Sequence, residues 1–200
     1  MKTPVIFHKL YPGLLWQMPE NEKVIYLTFD DGPTPGVTDR LLDNLEQYNA
    51  KATFFCTGRN VERAPELYQK IILYGHAVGN HTYSHLKGWK TPNREYFEDI
   101  ELASHYIKSD LYRPPYGRIT RSQLAYLKKS YKIIMWDVMS RDYNVKLSTP
   151  RVLDIVDKNL RPGSIIVFHD SLKSKEKIEY IIPVILEKFS SLGFTFASIK

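Results

Sequence analysis

Two hundred residues, 43% hydrophobic and 25% charged, make an ordinary globular composition long enough for one well-filled core, which excludes a disordered chain. The formal charge of +6 comes from 28 basic against 22 acidic residues scattered along the chain. No basic stripe or nucleic-acid-binding motif accompanies it, which argues against nucleic acid as a partner. The single cysteine, Cys56, allows no internal disulfide and reads as a buried structural thiol.

The chain opens on Met1-Lys2-Thr3-Pro4-Val5-Ile6-Phe7-His8-Lys9, which has neither a continuous apolar segment nor a small-residue cleavage site. No secretory signal is legible there, so a cytoplasmic location is expected, and no stretch is apolar enough to span a bilayer. Residues 1–22, with Leu10 to Trp16 broken by Pro12-Gly13, are expected to pack as an arm on or beside a single domain of residues 1–200. Apolar runs follow at about 24–30, 52–57, 76–79, 110–113, 131–136, 164–169 and 194–198. Between them lie helical periods at 35–48, 60–74, 93–108, 120–129, 149–160 and 175–192. Gly75 and Gly193 stand where C-caps belong, and Thr120 and Thr149 where N-caps belong, with Pro150 at a first helical position. Strand–helix alternation of this kind predicts a parallel sheet, closed or nearly closed as a (β/α) barrel, or else doubly wound. In either case a site belongs at the C-terminal strand ends.

Polar groups stand at those ends. Asp30-Asp31 closes the first run, just before the breaker pair Gly32-Pro33. Alone it reads as a polar turn, but two adjacent carboxylates repel unless a cation neutralises one of them. His81 and His85 follow the third run, at a spacing that lets both imidazoles face one side of a helical turn and hold one metal. Two histidines and one aspartate leave coordination positions open, the pattern of a catalytic rather than a structural site. No glutamate of an H-E-x-x-H pattern is present, so a general base has to come from Asp30 or Asp31. Arg113 precedes the rigid turn Pro114-Pro115-Tyr116-Gly117, Asp142 follows the fifth run, and His169 ends the sixth. Asn80-His81-Thr82 also matches a glycosylation acceptor, read here as accidental.

Thr28-Phe29-Asp30-Asp31-Gly32-Pro33, His81-x-x-x-His85, Arg113-Pro114-Pro115-Tyr116-Gly117, the stretch from Trp136 to Tyr143, and Val167-Phe168-His169 resemble the five ordered motifs of the polysaccharide deacetylase family (NodB-homology, carbohydrate esterase family 4). The resemblance runs from Val24 to Lys200. It implies a distorted (β/α) barrel of seven or eight parallel strands and metal-dependent removal of N-acetyl groups from amino sugars, in chitin oligomers, peptidoglycan or a related glycan. It further implies Asp31, His81 and His85 as ligands of one divalent metal, with zinc expected and cobalt, nickel or iron compatible with the donors. Asp30 is implied as general base, Arg113 as its partner, His169 as general acid, Asp142 as the partner of His169, and the main-chain N–H of Tyr116 as an oxyanion donor. Where the family's fourth motif usually reads D-x-x-D-W, this chain has Met139-Ser140-Arg141-Asp142-Tyr143, which bears on pocket shape. Another acyl amidase, a non-haem iron enzyme and a non-catalytic carbohydrate-binding domain are the alternatives. The iron reading leaves Asp30 and His169 without a task.

Overall fold

The computed structural model describes residues 1–200, the side chain of Val5 excepted. The strands are β1 (Val24–Asp30), β2 (Thr53–Cys56), β3 (Ala77–Asn80), β4 (Leu111–Tyr112), β5 (Lys132–Ile133), β6 (Val138–Met139), β7 (Ile165–His169) and β8 (Thr195–Phe196). The helices are α1 (Val5–Leu10), α2 (Thr38–Gln47), α3 (Gly58–Arg63), α4 (Pro65–Leu73), α5 (Asn93–Tyr106), α6 (Arg121–Leu127), α7 (Thr149–Asp157) and α8 (Lys175–Ser191). The strands pair in parallel in the order β5-β4-β3-β2-β1-β7-β6, a curled half-barrel, and β8 pairs the first residues of β1. This is the expected parallel (β/α) architecture, left open between β5 and β6.

The N-terminal residues lie in that opening. Lys2 bridges Val138 and Leu15 bridges Ile134. The Thr3 N–H donates to Asp137 O (2.7 Å) and the Met135 N–H to Leu15 O (2.7 Å), so both orphan edges find backbone partners.

Period-two alternation divides the apolar side chains between two cores. Ile25, Leu27 and Phe29 face outward, with Phe54, Cys56 and Phe168, against the buried faces of α2, α4, α7 and α8. The rings of Phe54 and Phe168 stack on Phe29 at 5.2 and 5.9 Å between centroids. Phe55, Ile165 and Val167 face inward, with Trp16, Tyr112 and Trp136. The inward series on β1 is Tyr26, Thr28, Asp30, so the interior grows polar toward the C-terminal strand ends. Cys56 is fully buried, and that burial pushes its thiol pKa well up, as befits a structural residue. No described helix is long and apolar enough to cross a membrane.

Four sequence expectations need correction. The helix expected over 60–74 is two, α3 and α4, broken at Ala64 because the residue before Pro65 is forced out of the α region. The α7 N-cap is Ser148 rather than Thr149, which places Pro150 one position later. The apolar run 131–136 forms a ladder only at Lys132–Ile133, because the carbonyls of Ile134 and Met135 turn to meet the Arg113 side chain. The short strand β6 and helix α1 carry no periodic signal and were not expected. Thr120 does cap α6, in a reciprocal capping box with Gln123.

Candidate active site

Three donor side chains converge at the ends of β1 and β3. Asp31 Oδ1 lies 3.8 Å from His81 Nε2 and 3.1 Å from His85 Nε2, and one ligand atom from each residue falls within 4.8 Å of the others. The expected helical turn is absent: His81 to His85 is a loop in which Thr82 and His85 adopt positive φ (63° and 60°), and this reversal turns both imidazoles to one point. His81 Nδ1 lies 2.7 Å from the Arg113 carbonyl, which needs a proton on Nδ1 and leaves the Nε2 lone pair facing Asp31. Burial outweighs the neighbouring carboxylates and lowers the His81 pKa to about 4, so the ring is neutral and available as a donor. Burial acts to raise Asp31, but the imidazoles of His85, His169 and His81 hold its pKa far below the ordinary carboxylate range. Asp31 Oδ1 is buried and accepts no hydrogen bond among the described residues. A buried, ionised, unpartnered oxygen beside two imidazoles fits a divalent cation of the borderline class. Asn80 is buried and spent locally, its amide donating to Ile100 O and accepting from the Thr82 N–H, which leaves the glycosylation pattern without an accessible acceptor.

Asp30 stands beside this group with a different set of contacts. Its Oδ2 lies 4.0 Å from His81 Nε2, while its Oδ1 accepts from Arg113 Nη1 at 2.7 Å. Arg113 is the largest fully buried side chain of the protein. Its guanidinium donates to Thr28 Oγ1 (2.7 Å), Ile134 O (3.1 Å) and Met135 O (2.8 Å), and lies 4.1 Å from the Phe55 ring centroid. So saturated a fork has one orientation, and it fixes the Asp30 carboxylate in turn.

Across the cleft, His169 Nδ1 lies 2.9 Å from Asp142 Oδ1, and the His169 N–H donates to Asp142 Oδ2 at 2.8 Å. Ser140 Oγ donates to the same carboxylate at 2.7 Å. Burial alone would lower the His169 pKa, but the Asp142 charge and hydrogen bond outweigh it and raise it from 6.5 to about 9. The ring is therefore cationic at neutral pH.

Asp30, Asp31, His81, His85, Tyr116 and His169 line one cleft of about 490 Å³. A wider surface groove of about 550 Å³ beside α4 holds none of these groups. Tyr116 takes a positive φ of 60° in the Pro114–Gly117 turn, and its ring lies 4.6 Å from that of His85. The two positions that depart from D-x-x-D-W touch each other: the Tyr143 hydroxyl donates to Met139 Sδ at 3.6 Å, and the Tyr143 ring meets His169 edge-on at 5.0 Å. Of the eight residues singled out in the sequence, six line this cleft, and the other two, Arg113 and Asp142, are buried behind it against Asp30 and His169. Thr28, Ser140 and Asn60 were not among them. Thr28 was findable, since it shares the inward face of β1 with Asp30 two residues on. The other two bind backbone or near neighbours and leave no pattern.

The chain matches the polysaccharide deacetylase family model over residues 17–133. It is 33% identical over 196 residues to a peptidoglycan-N-acetylglucosamine deacetylase of Bacillus cereus, an alignment spanning 92% of this chain and 90% of the relative. A chitooligosaccharide deacetylase of Bradyrhizobium is 35% identical over 161 residues, spanning 76% of this chain and 73% of that one. A solved peptidoglycan N-acetylglucosamine deacetylase superposes with a TM-score of 0.87 at 30% identity, covering 98% of this chain and 95% of the other. With the half-barrel, the ordered strand-end groups and these likenesses together, the chain belongs to the polysaccharide deacetylase family.

Proposed function

We propose that this polysaccharide N-deacetylase hydrolyses the acetamide of N-acetylglucosamine units in peptidoglycan or a chitooligosaccharide, with Asp30 as base and His169 as acid. The observation that carries the reading is the meeting, in one cleft, of a donor triad, an Arg-paired carboxylate and a cationic imidazole. A divalent cation held by Asp31, His81 and His85 would supply Lewis-acid polarisation of the amide carbonyl and acidify water. Asp30, oriented by Arg113, takes the proton of the attacking water. The main-chain N–H of Tyr116 donates to the oxyanion as the carbonyl carbon becomes tetrahedral. An amine leaves poorly until protonated, and His169, held cationic by Asp142, gives it a proton. The name of the Bacillus cereus relative supports N-acetylglucosamine as the sugar.

The test is acetate release from chitin oligomers and peptidoglycan fragments, with and without a chelator. Release is expected from at least one panel member, lost on chelation and restored by zinc. Acetate release indifferent to the chelator would end the metal reading.

The His169 pKa sets a second expectation. The acid must carry its proton, so kcat should hold to about pH 9 and fall above it. The same raised pKa contributes stability that is complete below the unfolded value of 6.5 and is lost as pH rises through about 9. Asp142→Asn removes the largest opposition to burial and leaves only the charges of Asp31 and Asp30 to offset it, so the alkaline limb of the kcat profile should move down by roughly a unit or more. An unmoved limb would take the acid role away from His169.

A further inference from the structure

Asp31 has a positive φ of 82°. A non-glycine residue holds that conformation only when its surroundings fix it. Here the fixing groups are visible. The peptide that joins Asp31 to Gly32 is gripped at both ends: its carbonyl accepts from Asn60 Nδ2 at 2.7 Å, and its N–H donates to Asp170 Oδ1 at 3.0 Å. Because the peptide is planar, two hydrogen bonds on opposite sides set its rotation, and with it the direction of the Asp31 side chain.

Asp170 is itself immobilised. It is fully buried, and its second oxygen accepts from the Thr38 hydroxyl at 2.6 Å, while Thr38 Oγ1 accepts from the Thr34 N–H at 2.8 Å. Its main-chain N–H donates to Asp30 O at 3.1 Å. One side chain therefore ties the turn after β1 to the strand end that carries His169. There is no slack in this arrangement: a Cβ on Gly32 would stand 1.9 Å from Asp170 Oδ2. A third carboxyl beside Asp30 and Asp31 is electrostatically unwelcome, and nothing in the proposed chemistry uses it.

We infer that Asp170 and Asn60 are positioning residues, a clamp on the Asp31–Gly32 peptide that holds Asp31 in its ligand conformation. The inference rests on the reading of Asp31 as a metal ligand. Asp170→Ala removes the acceptor at one end of the peptide, whereas Asp170→Asn keeps an oxygen for the Gly32 N–H. Asn60→Ala, at a half-buried position outside the core, removes the shorter of two hydrogen bonds at the other end and leaves the 3.3 Å bond from the Thr57 hydroxyl, and it serves where the Asp170 variants fail to fold.

Cobalt(II) is the probe, because its visible bands report coordination geometry and its affinity is measured by chelator competition. Asp170→Ala and Asn60→Ala should each bind cobalt about 10-fold more weakly than the parent, with shifted bands, and Asp170→Asn should recover most of the loss. Parent affinity and bands in Asn60→Ala, or in a folded Asp170→Ala with only a lowered Tm, would overturn the clamp. Asp31→Ala is the control. If it abolishes cobalt binding while the clamp variants keep the parent affinity and bands, only the clamp is wrong; if it keeps the parent affinity, the ligand reading itself is wrong.

Discussion

Asp30→Asn is expected to lower kcat by about 10²- to 10⁴-fold while leaving metal content at the parent level. The substitution keeps the size of the side chain, and an amide oxygen can still accept from Arg113. What it removes is the basic oxygen that would take the water's proton. Metal content should survive because the convergent donors are Asp31, His81 and His85, whereas Asp30 Oδ2 stands 4.0 Å from His81 Nε2 and Asp30 Oδ1 belongs to Arg113. Steady-state kinetics and elemental analysis on the same sample check both halves. Near-parent turnover would sink the base assignment, and loss of metal would make Asp30 a ligand. The comparison variant is His81→Ala, which should lose metal and activity together, because it deletes a donor whose tautomer the Arg113 carbonyl fixes.

The different work proposed for the two adjacent aspartates rests on backbone geometry. Strand alternation sends Asp30 inward with Thr28 and would send the next residue outward. Asp31 escapes that rule through its positive φ, so both carboxyl groups reach the same cleft. The doublet and the breaker after it are legible in the sequence, since they are local. The histidine pair is legible by spacing, but for a misleading reason: the spacing matches a helical turn, and the chain achieves the same convergence with a loop. The parallel sheet and its outer helices follow from alternating periods, because both buried sheet faces impose long apolar runs. The shortened run at 131–136 does not follow. Ile133 to Trp136 are apolar and buried as a strand's would be, and the partners that take Ile134 and Met135 out of the ladder, Arg113 and Leu15, are distant in sequence. Asn60, Thr38 and Asp170 were likewise out of reach, since their partners are backbone groups or side chains remote in sequence.

Arg113 is where fold and chemistry meet, and its removal should cost both. Arg113→Met keeps much of the volume and apolar contact but takes away the cation. Thr28 Oγ1, Asp30 Oδ1, Ile134 O and Met135 O then lose a donor at once, in a site where the arginine was fully buried. Breaking a buried pair from one side leaves the other charge uncompensated, which typically costs about 3–5 kcal/mol. That is a large share of the roughly 5–15 kcal/mol by which a domain of this kind is stable. Denaturant unfolding should show the loss as a lower midpoint at unchanged slope. Activity should fall further than stability explains, because the guanidinium hydrogen bond that orients the Asp30 carboxylate in the cleft is gone. A double variant separates the two effects. With the carboxylate also neutralised, Arg113→Met/Asp30→Asn should regain part of the stability lost in the single variant, yet remain as inactive as Asp30→Asn. If the double variant is no more stable than Arg113→Met alone, the arginine serves the carbonyls of the β5–β6 connection rather than the carboxylate, and the pairing with Asp30 is incidental.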